Sequence, residues 1–215
     1  METGLSVVHL FCSVTPDVDR AAAAAAIEAA EASDHQVLTA ATLGHKSDLA
    51  VMALGADWPT QRTLQTALQR AGLQVVDSYV SITEVSEYAK GMPEHMLQAR
   101  LYPQLPPEGL DTFCFYPMSK RREAHANWFA TPFDARNDMM REHGASGRTF
   151  AGQVVQLVTG STGLDDYEWG VTLFAKNPEV VKDVVYTMRF DKGSALYGEF
   201  GAFYVGYLAP LDEIL

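Results

Sequence analysis

Five side chains in the second half of the chain have types and spacings suited to redox or anion chemistry: Tyr116, Met118, Lys120, His143 and Gln156. Residues 112–118 (TFCFYPM) read as a strand. Two-residue alternation puts Cys114, Tyr116, Met118 and Lys120 on one side and Phe113 and Phe115 on the other. Pro117 inside this run implies an edge or a bulge, because it cannot donate to a ladder. Tyr116 is either a core tyrosine with a satisfied hydroxyl or a redox-active group with a lysine on its face to hold an anion. His143 shares a helix face with Met139 and Met140. It is either a histidine placed where a helix C-terminus favours it, or a neutral imidazole ready to ligate a metal or haem iron in a Met-lined pocket. Gln156 shares a strand face with Val154 and Val158, and either faces solvent or aims an amide into a pocket. The run SKRR at 119–122 is either a solvated loop or an anion site built on charge-assisted hydrogen bonds.

The elements that must position these groups follow from periodicity and punctuation. Residues 5–14 read as a strand. A helix over 21–32 opens on six alanines, and strands over 36–42 and 49–54 flank Gly44. A helix from Pro59 to Ala71 is stopped by Gly72, and a strand covers 73–85. The order β-α-β-β-α-β is that of a ferredoxin-like unit. Residues 91–109, with four prolines and two glycines, read as an extended linker. The second half repeats the order: a strand at 112–118, a helix at 132–143 with Thr131 as N-cap and Gly144 as its stop, strands at 153–159 and 167–174 around a GSTG turn, a helix from Pro178 to Met188, and a strand at 202–208. A weak likeness between DLAVMALGADWPTQRTLQTALQRAG and EWGVTLFAKNPEVVKDVVYTMRF supports a duplication.

Composition bounds the partners. With 16 Lys+Arg against 27 Asp+Glu the 215-residue chain carries −11, which argues against a nonspecific nucleic-acid binder and against docking on anionic lipid. Residues 96–150 nevertheless hold seven cations and six anions, so the negative excess lies elsewhere and a small anionic guest is compatible with this window. A 47% hydrophobic content suits a globular fold. No apolar run approaches the ~20 residues of a membrane span, and no basic n-region followed by an apolar h-region marks a signal peptide. Cys12 and Cys114 are too few for a disulfide scaffold, which makes a reducing cytoplasm the simplest setting. The phosphate-loop, dinucleotide, HExxH and GxSxG motifs are absent, as is any zinc-type spacing of His and Cys.

Several uncommon strings occur together: RLYPQLP (100–106), CFYPMSKRR (114–122), MREHG (140–144), AGQVVQLVTGSTGLDDYEWGVTLFA (151–175) and the MRFD…YGEFG…FYVG tail (188–206). In these the chain resembles the coproheme decarboxylases of the chlorite dismutase-like superfamily, over roughly residues 96–206. The resemblance implies an α+β fold of two ferredoxin-like modules forming a dimeric α/β-barrel-type subunit. Residues 1–95 would form a module without haem and residues 96–215 the porphyrin-binding module, in a homopentamer. It also implies peroxide-dependent conversion of two propionates of iron coproporphyrin III (coproheme) to vinyl groups, giving haem b. The iron porphyrin would be at once substrate and redox centre, with hydrogen peroxide as oxidant. By the same resemblance His143 matches the proximal iron ligand, Tyr116 the radical-forming tyrosine, and Lys120 the lysine beside the reacting propionate. Met118 matches a substrate contact, Arg100 a propionate-pairing arginine, and Gln156 the distal glutamine. Ser194 falls at the place of a propionate-binding serine, although its string DKGSAL departs from the usual one. Gln156, and the 27-residue spacing from Tyr116 to His143, fit the glutamine-type branch; chlorite dismutases place an arginine at the distal position. A coproporphyrin ferrochelatase is the implied transient partner. A haem peroxidase or chlorite dismutase-like enzyme, and a haem carrier or sensor without catalysis, are the alternatives.

Overall fold

A computed structural model describes residues 2–89 and 91–215. The first half contains β1 (Thr3–Val14), α1 (Arg20–Glu31), β2 (Gln36–Thr42), β3 (Leu49–Gly55), α2 (Trp58–Arg70) and β4 (Leu73–Glu84). A helix α3 (Glu94–Leu101) precedes β5 (Thr112–Lys120), which runs into a small hairpin of β6 (Arg122–Glu123) and β7 (Ala126–Asn127). Then follow α4 (Phe133–Arg148), β8 (Val154–Gly160), β9 (Trp169–Ala175), α5 (Pro178–Met188), α6 (Lys192–Ala195), β10 (Gly198–Phe200), β11 (Tyr204–Leu208) and α7 (Leu211–Ile214).

Within the first half the strands lie in the order β4-β1-β3-β2, and within the second β11-β5-β9-β8. Each is the antiparallel arrangement of a ferredoxin-like unit, in which the first and third strands are central. The two sheets join edge to edge. Gly206–Leu208 of β11 pair with Ala40–Thr42 of β2, and Ile82 and Thr83 of β4 pair with Gly160 and Thr159 of β8. The ladder therefore closes into a barrel, with β10 added beside β5.

Alternation builds two layers from each strand. Inward side chains, including Val7, Phe11, Met52, Tyr79, Phe113, Phe115, Leu157, Phe174 and Tyr204, fill the barrel. Outward side chains of the first half pack under α1 and α2 through Ala23, Ala26, Ala30, Leu64 and Leu68. The small alanines let the α1 backbone come close, and an Asp N-cap holds each helix: Asp19 accepts from the Ala22 amide and Asp57 from the Thr60 amide. In the second half α5 covers the outward Cys114, Val171, Leu173 and Ala175 with Val180, Val181, Val184 and Met188. Each buried Val, Leu, Phe or Met of these layers contributes about 1.5–3 kcal/mol when fully removed from water.

Three expectations from sequence differ from the fold. Residues 91–109 contain α3, so this stretch is not wholly extended. The helix expected to stop at Gly144 continues to Arg148, because Gly144 keeps helical backbone and only propensity, not geometry, opposes it. Its N-cap position is Pro132, while the Thr131 hydroxyl donates to the Asn127 carbonyl. Pro117 sits at a break in the ladder. β5 faces β11 up to Phe115 and β10 from Met118, and the Gly201 amide donates to the Pro117 carbonyl between them.

The seam between β2 and β11 depends on close backbone approach at Gly206, where an added Cβ would lie 1.9 Å from the Ala41 carbonyl oxygen. Gly206→Ala should therefore force the seam apart and destabilise the fold by roughly 1–3 kcal/mol. Urea unfolding measures this, and an unchanged midpoint would contradict the role of the seam.

Candidate functional site

β5 presents Tyr116, Met118 and Lys120 outward, on the side away from the barrel interior. Tyr116 is 5% exposed, its ring stacked on Phe203 (centroids 4.5 Å apart, planes at 22°) and tilted against Phe200 at 5.8 Å. No described residue hydrogen-bonds its hydroxyl. Burial raises the Tyr116 pKa well above the usual phenol value, assisted by the neighbouring Cys114 and opposed by the Arg189 guanidinium, so the ring stays a neutral phenol. Met118 is half-buried against the same cluster.

Lys120 is buried. Its Nζ donates to the Gly193 carbonyl at 2.6 Å and lies 4.8 Å from the centroid of the Trp128 ring. Its backbone amide donates to the Glu168 carboxylate at 2.9 Å. Burial pushes the ammonium pKa down to about 8, against the pull of Asp191 and Glu168. Of its three N–H donors one is used by Gly193, which leaves two for an incoming anion.

His143 lies on α4, half-buried, and its Nδ1 is 3.0 Å from Asp191 Oδ2. The other oxygen of Asp191 accepts a hydrogen bond from the Ser146 hydroxyl at 2.6 Å, one turn further along the helix. A carboxylate can only accept here, so Nδ1 carries the proton and Nε2 keeps its lone pair. Burial is the largest influence on the His143 pKa and lowers it. Lys120 lowers it further, and Asp191 pulls it upward. The net effect is a neutral imidazole with Nε2 free among the described residues, which is the form that binds a metal.

α4 itself is a weak helix. It has no side-chain N-cap and no buried residue, and it contains Gly144 and Gly147. Each glycine costs about 1 kcal/mol relative to alanine. Gly147 faces Met188 of α5, whose methyl would lie 2.9 Å from an added Cβ. Near its start, Arg136 donates to Glu87 at 2.7 Å and to the Tyr88 hydroxyl at 2.9 Å, while Tyr88 stacks on Phe133. Asp191 secures the far end. α4 packs mainly on α5 and α6. On β8, Val154 is half-buried while Gln156 and Val158 are exposed. These features fit a flat apolar guest between α4 and the sheet: an imidazole with a free lone pair, uncovered valines, a neutral amide and a lysine beside the site.

The structure gathers Tyr116, Met118, Lys120 and His143 around α5, α6 and the outward face of β5. Ser194 is half-buried on the same α6 turn that follows Asp191, where its amide donates to the Asp191 carbonyl. Gln156 is on β8, which β9 separates from β5. Arg100 is on the exposed side of α3, a helix that packs on β1 and β4, and no hydrogen bond joins it to the others. In SKRR, Arg121 is near Glu199 (3.7 Å) and Glu123 (3.9 Å), and Arg122 is exposed in the small hairpin. Reading residue types did not single out Asp191 or Arg189. Both lie in the MRFD string, but nothing local in that string shows that its acid meets a histidine 48 positions earlier. The Arg189 guanidinium lies 4.9 Å from the Phe200 ring centroid.

Comparison with known proteins gives a consistent set of relatives. The Chlorite dismutase family model matches residues 19–209. A coproheme decarboxylase from Staphylococcus carnosus is 42% identical over 183 residues, covering 80% of this chain and 72% of that protein. The coproheme decarboxylase of Staphylococcus saprophyticus is 39% identical over the same shares. A solved heme-binding protein from Thermus thermophilus superposes with a TM-score of 0.86 at 32% identity, covering 98% of this chain and 93% of that one. A chlorite dismutase from Candidatus Nitrospira defluvii superposes with a TM-score of 0.78 over all of this chain and 94% of its own, at 20% identity, and so shares the fold.

Removing the charge of Asp191 tests the imidazole geometry directly. In the ligand-free protein Asp191→Asn should lower the His143 pKa below its wild-type value, because a carboxylate beside the ring favours the imidazolium. NMR titration of the His143 Cε1 proton reads this, and an unchanged or raised value would show that the pair is not formed.

Proposed function

Since the chain belongs to the chlorite dismutase family, we propose that it is a coproheme decarboxylase, converting iron coproporphyrin III to haem b by oxidative loss of two propionate carboxylates with hydrogen peroxide. Two relatives at 42% and 39% identity bear that name. The observation that carries the reading is the Asp191-held His143, with Nε2 free, on a helix adjoining the face of β5 that displays Tyr116, Met118 and Lys120.

When bound, the iron porphyrin supplies the reaction with peroxide and carries the propionates that are lost. His143 Nε2 would hold the iron, with Asp191 fixing the tautomer and raising the basicity of the ring. Tyr116 would give an electron to the oxidant that peroxide and the bound porphyrin supply, and its proton to solvent, becoming a phenoxyl radical. It would then regain its phenol by taking a hydrogen atom from the β-carbon of a propionate. That propionate would pass a second electron to the same oxidant, and breakage of the bond to its carboxylate would release CO2 and leave a vinyl group. Each hydrogen peroxide takes the two electrons, with two protons, and ends as two waters. Burial keeps Tyr116 a phenol, so its reactive form is made only by oxidation. Lys120 offers two N–H donors to the carboxylate and favours its ionised form. Met118 fills the space between Tyr116 and Lys120, which are about 13 Å apart along the strand. Gln156 provides a neutral hydrogen-bonding amide from β8, and Ser194 and Arg100 serve propionates at the rim.

The outward face of the first half is already covered by α1 and α2, which supports a division into a porphyrin-free module over residues 1–95 and a porphyrin-binding module over 96–215. A homopentamer in the cytoplasm, receiving substrate by transient contact with a coproporphyrin ferrochelatase, completes the proposal. Its support is the family resemblance, together with the observation that no helix among the described residues is long and apolar enough to cross a membrane.

Purified protein given ferric coproporphyrin and peroxide should form haem b and CO2, followed by mass spectrometry of the pigment. Tyr116→Phe should bind the substrate yet lose at least about 100-fold in turnover; full activity in that variant would sink the assignment. A second expectation concerns α4. Its amides at 133–148 should exchange fast in the free protein and slow markedly when coproheme is added, since the guest supplies the packing the helix lacks. Unchanged exchange would place the porphyrin elsewhere.

A further inference from the structure

On the barrel side of the same wall as Tyr116 lies a second tyrosine with a different chemical environment. Phe115 and Tyr204 are register partners across β5 and β11, and both point inward. Their sequence neighbours Tyr116 and Phe203 point outward and stack on each other. Adjacent Cα atoms are ~3.8 Å apart and facing ones ~4.5–5.5 Å, so the backbones of Tyr116 and Tyr204 lie within about 10 Å. Aromatic rings bridge the gap on both sides. Phe203 stacks on Tyr116 and is the residue before Tyr204. Inside the barrel Phe115 is 5.4 Å from Phe11, whose ring lies 3.6 Å from that of Tyr204.

The two phenols differ in what can receive their proton. The Tyr116 hydroxyl has no hydrogen-bond partner among the described residues. The Tyr204 hydroxyl donates to Asp77 Oδ2. A phenol gives up an electron far more readily when its proton can move at once to a hydrogen-bonded carboxylate, because the charged radical cation is then never formed. A radical on Tyr116 is therefore the more oxidising of the two, and transfer from Tyr204 to Tyr116 runs downhill.

We propose that Tyr204 and Asp77 form a second redox site, a sink for oxidising equivalents that reach Tyr116 when no propionate hydrogen is available to it. The inference rests on the coproheme decarboxylase reading for the oxidant, hydrogen peroxide acting at the bound porphyrin. In the step, Tyr204 passes one electron to the Tyr116 phenoxyl and its proton to the Asp77 carboxylate. Tyr116 regains its phenol by taking that electron and a proton from solvent. The products are a neutral Tyr204 phenoxyl and a neutral Asp77 carboxylic acid. While substrate remains, hydrogen abstraction competes with this transfer; once both vinyl groups are formed, excess peroxide drives oxidation to the inner site.

The test uses the full chain loaded with haem b and given excess peroxide, frozen after mixing and read by electron paramagnetic resonance with and without ring-deuterated tyrosine. Wild type should show a deuterium-sensitive tyrosyl signal. At high field the wild-type signal should have the g-values of a phenoxyl that accepts a hydrogen bond, here from protonated Asp77. Tyr204→Phe, which keeps the ring stack, should replace it with the signal of a phenoxyl without a hydrogen bond, that of Tyr116. Asp77→Asn, which keeps a hydrogen-bond acceptor but not a proton acceptor, should do the same. Both variants should still convert coproheme to haem b and should bleach the haem faster under excess peroxide. Unchanged g-values and hyperfine pattern in both variants, or no tyrosyl signal in wild type, overturns the inference. If wild type fails to make haem b from coproheme while the signal still depends on Tyr204, the enzyme assignment fails and the redox site stands.

Discussion

The alternation of side chains along β5 ties the chemistry of this protein to its core. Phe113 and Phe115 anchor the strand inside the barrel, where both are almost wholly buried. Cys114, Tyr116 and Met118 are thereby committed to the opposite face. A slip of one residue would put Tyr116 in the barrel and a phenylalanine in its place. The two neighbours of β5, β9 on one side and β11 then β10 on the other, pin that register. Tyr116 is positioned by the same contacts that close the barrel, so its place is as rigid as the fold.

α4 stands at the other extreme. Uncapped at its start, interrupted by two glycines and without a fully buried residue, it packs on α5 and α6 and is tied near its ends through Arg136 on one side and Asp191 on the other. Asp191 grips two residues of the helix together, His143 and Ser146, so the imidazole's orientation and the helix's position are set by a single carboxylate. The site thus pairs a wall built into the barrel with one that has no fully buried residue of its own. That combination suits a guest as large as a porphyrin, which must enter before it is clamped.

Much of this architecture was legible in the residues. α5 begins at Pro178 and ends at Met188 as the Pro start and apolar spacing imply, and β2 spans Gln36–Thr42 as expected. These elements declare themselves because local pattern and burial agree. α3 did not, because a proline- and glycine-rich stretch masks eight residues of good helix formers whose two faces are hardly different. The end of α4 misled for the converse reason: a glycine lowers helix propensity but does not forbid the helix. Within the site, Tyr116, Met118 and Lys120 could be aligned by counting along one strand. The partnership of His143 with Asp191 could not, since it joins α4 to the residue that precedes α6, 48 positions on, through tertiary packing. The placing of Arg100 on an exposed face of α3 was equally beyond local pattern.

The seam at β4 has a consequence for how the molecule behaves among its own copies. β8 covers only the end of β4, at Ile82 and Thr83. The stretch before it would offer open backbone amides, the kind of strand border that recruits another chain. Two aspartates stop that. Asp165, on the turn between β8 and β9, accepts from the Val80 amide, and Asp77 accepts from the Ser78 amide. Carboxylates seal this border where a paired strand would otherwise do so, in a chain that carries −11 overall. A molecule so built resists zipping to its neighbours by repulsion as well as by satisfied amides, and the carboxylate that receives the Tyr204 hydroxyl also guards the barrel's exposed flank.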